Sequence, residues 1–408
     1  MPAEPEPQVI ADAGELSDLH QPLTTAVLTP AAPPFTTRRP MRGPERMLRL
    51  LALVALLYVF LIGIDLLGAG IAGIGGGAAD ALFSGVAHPL AGLAVGVLAT
   101  VLVQSSSVST ATIVALVGSG VVTLPAAVPM IMGANIGTTV TNTLASLGTI
   151  RRTDEFRRAF AGATMHDLFN LLAVATLLPL ELLTGFLSRA AIWLSGVIGG
   201  ATGGEFQSPI KEAVGAGAGL IEGGVALMVS GTVASVLLLI GGLGLVFFTL
   251  VTITRNMRLV IAGAAERSLN AVLDRSSSLG LLVGVALTVA VQSSSITTSL
   301  LVPMIAAGVL TLPNAYPITL GANVGTTVTA LIAALAVPQV EGLQIALVHL
   351  LFNLCGILLF FPVPALRRIP VNGALWLAEQ ATRRRTVVLA YVLVTFLLVP
   401  AAGIMLLG

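Results

Sequence analysis

The sequence predicts an all-α polytopic membrane protein made of two inverted-topology repeats, each with a re-entrant helical hairpin and a broken transmembrane helix. Three observations predict it. Apolar residues make up 56% of the 408 and charged residues only 10%, against about a quarter charged in ordinary soluble domains. Several apolar runs reach the ~20 residues a helix needs to cross a bilayer. Finally, Gln104-Ser105-Ser106-Ser107 recurs letter for letter at Gln292-Ser293-Ser294-Ser295, each copy followed at one spacing by a second polar stretch, Gly133-Ala134-Asn135-Ile136-Gly137-Thr138-Thr139 and Gly321-Ala322-Asn323-Val324-Gly325-Thr326-Thr327. Val103–Gly148 and Val291–Ala336 align without gaps and are identical at about half their positions.

Taken in order, residues 1–45 are rich in Pro, Ala, Thr and Glu and lack periodicity, so they read as a disordered cytoplasmic tail. A first repeat half covers 46–199, a short extracytoplasmic link 200–224 and a second half 225–366. A cytoplasmic segment and a final transmembrane helix occupy 367–408. Spans are expected at Leu50–Ile71, Phe160–Leu180, Val225–Ile253, Leu343–Phe361 and Val387–Leu407, with Leu182–Gly199 as an interfacial helix. The first apolar segment is long enough to span, which makes it an uncleaved anchor rather than a secretory signal.

Arginines set the orientation. Arg38, Arg39, Arg42, Arg46 and Arg49 gather before the first span, which puts the N-terminus in the cytoplasm; the expected location is the cell (inner) membrane. Arg151, Arg152, Arg157 and Arg158 follow the first repeat, whereas Pro338–Glu341 after the second carries none. Conversely, Arg255, Arg258, Arg267 and Arg275 precede the second repeat, and the Ala72–Ala87 link before the first has no Lys or Arg. The copies therefore enter from opposite sides, the arrangement expected when one site opens alternately to either face.

Each Gln-Ser-Ser-Ser stretch has about 15 apolar residues on either side, too few for each arm to span, so the polar stretch is the tip of a re-entrant hairpin. Thr123-Leu124-Pro125 and Thr311-Leu312-Pro313 read as helix starts, with Thr as cap and Pro in the first turn. The paired glycines and β-branched threonines of the second polar stretch favour a break in the following helix.

No Asp, Glu, Lys or Arg occurs between Ala81 and Ile150 or between Ser276 and Val340, so a ligand at these stretches is expected to meet neutral groups. Serine hydroxyls and free amides at a helix start form an anion cradle. Gln and Asn oxygens, Thr hydroxyls and unwound carbonyls suit a hard cation such as sodium. An anion there needs a countercharge. A co-bound cation at ~4 Å supplies on the order of 4 kcal/mol at an effective dielectric of 20. Close packing and interhelical hydrogen bonding are the competing reading for each stretch alone; the paired, equally spaced duplication weighs against it. Two further pairs, His166 with Asn170 and His349 with Asn353, lie at i, i+4 on a helix face. They read first as scaffold hydrogen bonds and second as proton-sensitive supports of the site. Asp65 is a lone acid in the first span.

Several classes are disfavoured. No basic stripe interleaved with aromatics suggests nucleic acid, and the single cysteine, Cys355, excludes an intrachain disulfide. Val117-Gly118-Ser119-Gly120 lacks the first glycine of a nucleophile motif, and neither His-Glu-x-x-His nor a Walker loop is present, so an enzyme is not expected.

The motif-bearing stretches Val103–Leu147, Glu155–Glu181, Val291–Ala336 and Leu343–Arg367 resemble the type II sodium-dependent phosphate cotransporter family in a compact, prokaryote-like form. The resemblance implies cotransport of inorganic phosphate with sodium ions, with no organic cofactor. By motif match it implies phosphate at Ser105, Ser106, Ser107, Ser293, Ser294 and Ser295. It implies sodium at Gln104, Asn135, Thr139, Gln292, Asn323 and Thr327; His166, Asn170, His349 and Asn353 remain supporting candidates from their spacing alone. The link Gly200–Gly224 is short and cysteine-free, so a disulfide between halves is not carried over. Residue chemistry alone leaves another small oxyanion (sulfate or a dicarboxylate) or an anion channel open, and a homodimer is also left open.

Overall fold

The computed structural model describes residues 43–74, 88–201, 209–273 and 277–408. The stretches 1–42, 75–87, 202–208 and 274–276, with Arg38, Arg39, Arg42 and Arg275, lie outside the described residues, as do the side chains of Arg46, Arg258 and Arg267. Among the described residues every regular element is a helix. The first half runs α1 (Gly43–Gly73), α2 (Pro89–Val103), α3 (Ser106–Gly118), α4 (Leu124–Gly137), α5 (Val140–Ser146), α6 (Thr153–Thr184) and α7 (Phe186–Ala201). After α8 (Pro209–Met228) come α9 (Thr232–Leu273), α10 (Ser277–Val291), α11 (Ser294–Ala306), α12 (Leu312–Ala333), α13 (Val340–Phe360) and α14 (Pro364–Arg383). The chain closes with α15 (Thr386–Leu407), which contains a π turn at Val394–Leu398.

Among the described residues five helices are long and apolar enough to cross a membrane: Met47–Gly73, Thr153–Thr184, Thr232–Asn256, Val340–Phe360 and Thr386–Leu407. They coincide with the five expected spans, except that the third starts at Thr232 rather than Val225. Residues 225–228 instead finish α8, and Gly231, at φ +65°, turns the chain before α9. The α2–α3 and α10–α11 pairs have 15 and 13 residues each. At about 1.5 Å per residue each arm measures roughly 20–23 Å, short of a ~30 Å hydrocarbon core.

Glycines bring the helices of each repeat into backbone contact. A methyl group at Gly96 would fall on the carbonyl of Met130, and one at Gly133 on that of Leu93, so α2 and α4 meet with nothing between them. The second repeat does the same: Gly284 abuts the Ile318 carbonyl and Gly321 the Leu281 carbonyl, joining α10 to α12. Small residues at such crossings supply the van der Waals contact that holds helices together where lipid removes the hydrophobic drive.

This packing corrects the expected break. The helix is interrupted only in the first copy, where α4 ends at Gly137 and α5 resumes at Val140; the second copy runs unbroken through Asn323–Thr327 in α12. The glycines serve close approach, and the threonines return their hydroxyls to the helix. Thr326 Oγ1 donates to Ala322 O at 3.0 Å and Thr327 Oγ1 to Val324 O at 2.7 Å, as Thr138 and Thr139 do to Ala134 O and Ile136 O in the first copy, so these bonds do not distinguish the two. The expected helix starts are present with Pro in the first turn, but neither Thr123 nor Thr311 makes a side-chain cap bond. Within the link, residues 209–224 are helical, and Tyr58 on α1 donates its hydroxyl to Ala213 O at 2.8 Å. Helix α7 is too short to count as a span. It is capped by Glu181, whose carboxylate accepts from the amide of Leu187 at 2.7 Å.

Each repeat's trailing helix packs against both repeats. From α13, which follows the second repeat, Ile345, Val348 and Phe352 join the core formed by Val114 and Met132 of the first repeat. From α6, which follows the first repeat, Phe156, Phe160 and Met165 join Leu301, Ile305 and Tyr316 of the second.

Candidate binding site

Each Gln-Ser-Ser-Ser stretch is the junction between two short helices, and its backbone is unusual. Gln104 and Gln292 have φ +55° and +56° and are the only non-glycine residues with positive φ among the described residues. A left-handed conformation costs a side-chain-bearing residue about 1–2 kcal/mol. Each glutamine offsets this by donating Nε2 to the end of the helix before it, to Val101 O and to Val289 O at 2.7 Å. The turn lets the next residue cap the following helix, with Ser105 Oγ accepting from the Val108 amide and Ser293 Oγ from the Ile296 amide, both at 3.4 Å. The amides of Ser106, Ser107, Ser294 and Ser295 sit in those first turns, where α-helical bonding leaves N–H groups without partners.

The four polar stretches form a closed ring of contacts. Thr141 Oγ1 donates to Gln104 Oε1 at 3.2 Å, and Thr329 Oγ1 donates to Gln292 Oε1 at 2.9 Å, each pair 37 residues apart, so each tip is tied to its own repeat's later helix. The tips touch each other, with Ser107 Oγ donating to the Gln292 carbonyl at 3.2 Å. The two asparagine stretches are bridged by Asn170 of α6, whose Nδ2 donates to Asn135 O and whose Oδ1 accepts from Asn323 Nδ2, both at 2.8 Å. Asn142 adds a second link between repeats, accepting from Thr298 Oγ1 at 2.9 Å and Ser299 Oγ at 3.2 Å.

Within this ring the expected residues differ in how free they are. Ser106, Ser107 and Ser294 are buried, and the Ser294 hydroxyl has no hydrogen-bond partner. Ser105, Ser293 and Ser295 are half-buried and Gln104 is exposed. Asn135 Nδ2 donates to Ile131 O at 3.2 Å, and the Thr139 hydroxyl donates to Ile136 O at 2.8 Å. Asn323 is fully engaged: besides Asn170, its Oδ1 faces His166 Nε2 at 2.5 Å, a bond that assigns the proton to that nitrogen. The pair on α13 is not joined to the ring. Asn353 Nδ2 donates to His349 O of its own helix at 2.9 Å, while His349 Nδ1 and Asn353 Oδ1 have no partner. The halves, duplicated in sequence, are thus unequal in their hydrogen bonds.

Sequence reasoning missed Asn142 and three more residues. Thr141 and Thr329 position the glutamines, and their equal spacing from Gln104 and Gln292 was a readable signal. The third is Asp167, and it overturns the expectation of purely neutral surroundings. The charge-free stretch of the first repeat ends at Ile150, but α6 folds back and lays the carboxylate against α5. Oδ2 accepts from Thr143 Oγ1 at 3.1 Å and from the Tyr391 hydroxyl of α15 at 2.9 Å, whereas Oδ1 has no partner. Asp167 is fully buried and also faces Thr139. Its place in the other copy is taken by Leu350, so the duplication pattern could not reveal it. Among the described residues no cluster of three or more His, Cys, Asp or Glu is placed to hold a metal ion. The oxygen-rich, carboxylate-poor donor set that remains suits a weakly held alkali cation better than a transition metal.

Described residues whose regular structure is helical, with five apolar helices of bilayer length and a partly buried ring of hydroxyl and carboxamide groups, define a helical membrane protein. The model of the Na+/Pi-cotransporter family matches residues 59–192 and 245–369, and the chain belongs to that family, in which sodium is the co-transported ion. The chain is similar to sodium-dependent phosphate transport protein 2A of Ovis aries, at 32% identity over 95% of this chain and 73% of the relative. The Mus musculus protein of the same name is 34% identical, over 95% and 72%. Sodium-dependent phosphate transport protein 2B of Homo sapiens is 33% identical, over 86% and 64%. No solved structure matches.

Proposed function

We propose that this protein is a sodium-coupled secondary active symporter that imports inorganic phosphate by alternating access. The observation that carries the reading is the meeting of the two duplicated tips, Ser107 Oγ on the Gln292 carbonyl, which brings the first turns of α3 and α11 to one place. Those turns present amides and the hydroxyls of Ser106 and Ser294 together with the positive ends of two helix dipoles, which is an oxyanion cradle. Sodium is held beside it by the oxygens of Gln104, Gln292 and Asn135 and by Thr139 and Thr327. The carboxylate of Asp167, within reach of Thr139 and Thr143, supplies a negative charge that draws a cation into the same region. Substrate and ion then stabilise each other by direct attraction, and neither fills the site well alone. His166 and Asn170 hold the asparagine stretches in register rather than touching cargo.

In this reading α2–α3 and α10–α11 are re-entrant hairpins of opposite orientation, the N-terminus is cytoplasmic and the chain sits in the inner membrane. Residues 46–199 and 225–366 act as the two halves around the shared site. The test is flux of radiolabelled phosphate into proteoliposomes. Concentrative uptake in sodium and none in choline is expected, with sulfate a poor competitor, and Ser106→Ala or Ser294→Ala abolishes uptake while reconstitution survives. Equal uptake in both cations, or normal transport by both serine variants, overturns the assignment of the tips.

A further inference from the structure

A second site lies away from the tips. Between the end of α11, the start of α12 and the face of α14 is an open groove of about 650 Å³. Its polar lining includes Arg158 and Arg368, and its walls are apolar side chains such as Leu310, Leu312, Val371 and Leu375.

The two arginines differ from their neighbours in their partners. Arg157 pairs with Glu379 at 3.6 Å, Arg383 with the same carboxylate at 3.2 Å, and Arg152 with Glu155 at 3.1 Å. Neither Arg158 nor Arg368 has a carboxylate within ion-pair distance among the described residues. Arg158 is instead fixed by its Nε, which donates to Ala306 O at 2.8 Å and leaves the terminal nitrogens for the groove. Two uncompensated guanidinium groups above an apolar wall suit a phosphate joined to hydrocarbon. The position agrees. On α14, Ile369 and Trp376, one seven-residue step apart on one helix face, are 46% and 65% exposed. An exposed tryptophan beside arginines marks the level of lipid headgroups.

We propose that this groove binds an anionic phospholipid, its phosphate on Arg158 and Arg368 and its acyl chains along Leu310, Leu312, Val371 and Leu375. A free phosphate ion would use the arginines and gain nothing from the apolar wall. The site joins α14 and α6 to the α11–α12 turn, so a bound lipid staples the second repeat to the trailing helix of the first.

The protein has two tryptophans, Trp193 and Trp376, so Trp193→Phe leaves Trp376 as a local reporter. The full chain carrying that change is reconstituted in phosphatidylcholine vesicles containing a minor fraction of either brominated phosphatidylglycerol or brominated phosphatidylcholine. Stronger quenching by the anionic lipid at equal fraction is expected. Arg158→Gln and Arg368→Gln each reduce that excess by roughly a factor of five, the worth of one arginine at an anionic surface. Arg152→Gln leaves it intact, as does added inorganic phosphate. Should Arg158→Gln fail to fold, Arg368→Gln, on an exposed side chain, decides. Equal quenching by the two lipids overturns the proposal. An equal loss in Arg152→Gln reduces the site to diffuse rim charge, and displacement by inorganic phosphate makes the occupant a free anion.

Discussion

The hydroxyl of Ser107 donates to the main-chain carbonyl of Gln292 across 3.2 Å, joining residues 185 apart in sequence at the junctions of two separate helix pairs. This contact depends on the left-handed turn at Gln292, which directs that carbonyl away from its own helix. A motion that opens the site between the tips must break it.

Ser107→Ala therefore favours separated tips. Losing one hydrogen bond to a buried carbonyl costs about 1 kcal/mol, so the variant is expected to fold. A cysteine pair placed on the two tips should crosslink more slowly in the Ser107→Ala background than in the parent. Unchanged crosslinking would show that the contact does not hold the tips.

Asp167→Asn keeps the shape and one hydrogen-bonding oxygen but removes the charge. The expected outcome is a rise in the sodium concentration needed for half-maximal phosphate uptake, with a smaller change at saturating sodium. Tyr391→Phe removes one of the two donors to Oδ2 and should shift sodium dependence less than Asp167→Asn does. Titrating uptake against sodium in proteoliposomes measures both.

His166 and His349 occupy equivalent places with different partners, and their substitutions should separate. His166→Ala strips the bond to Asn323 Oδ1 and leaves a buried acceptor unsatisfied, a loss of about 1–3 kcal/mol. His349→Ala removes a ring whose Nδ1 has no partner, so it costs packing alone. Thermal unfolding in detergent should rank His166→Ala as the less stable.

Gly284→Ala places a methyl group on the Ile318 carbonyl and forces α10 away from α12, whereas Gly244→Ala on α9 meets nothing within 4 Å. The first variant should lose stability and uptake together. The second should match the parent in both, or gain slightly from helix propensity.

The duplication and the five apolar spans were legible in the sequence because both are written in composition and spacing. The helix junctions at Gln104–Ser105 and Gln292–Ser293 were legible for the same reason: a polar stretch flanked by two short apolar arms marks a junction wherever the arms pack. The continuity of α12 was not, because its glycines, which look like breakers from their propensity, are spacers for the α10 backbone, while the matching glycines of the first copy, equally close to α2, precede an interruption. Nor was Asp167, since a window along the chain cannot see a carboxylate carried in by a later helix. The unequal partners of His166 and His349 also escaped, because identical motifs say nothing about two halves caught in different hydrogen-bonding arrangements.

The cross-packing of α6 and α13 bears on biogenesis. A chain emerging from the ribosome completes α2 through α5 long before Ile345, Val348 and Phe352 exist to close over Val114 and Met132. The early portion must wait in the bilayer with a face of its core uncovered, and early domains generally fold as units only when their contacts are already synthesised. Neither half should then mature by itself. Split after α7, the two fragments are expected to be degraded when made singly and to rescue each other when made together.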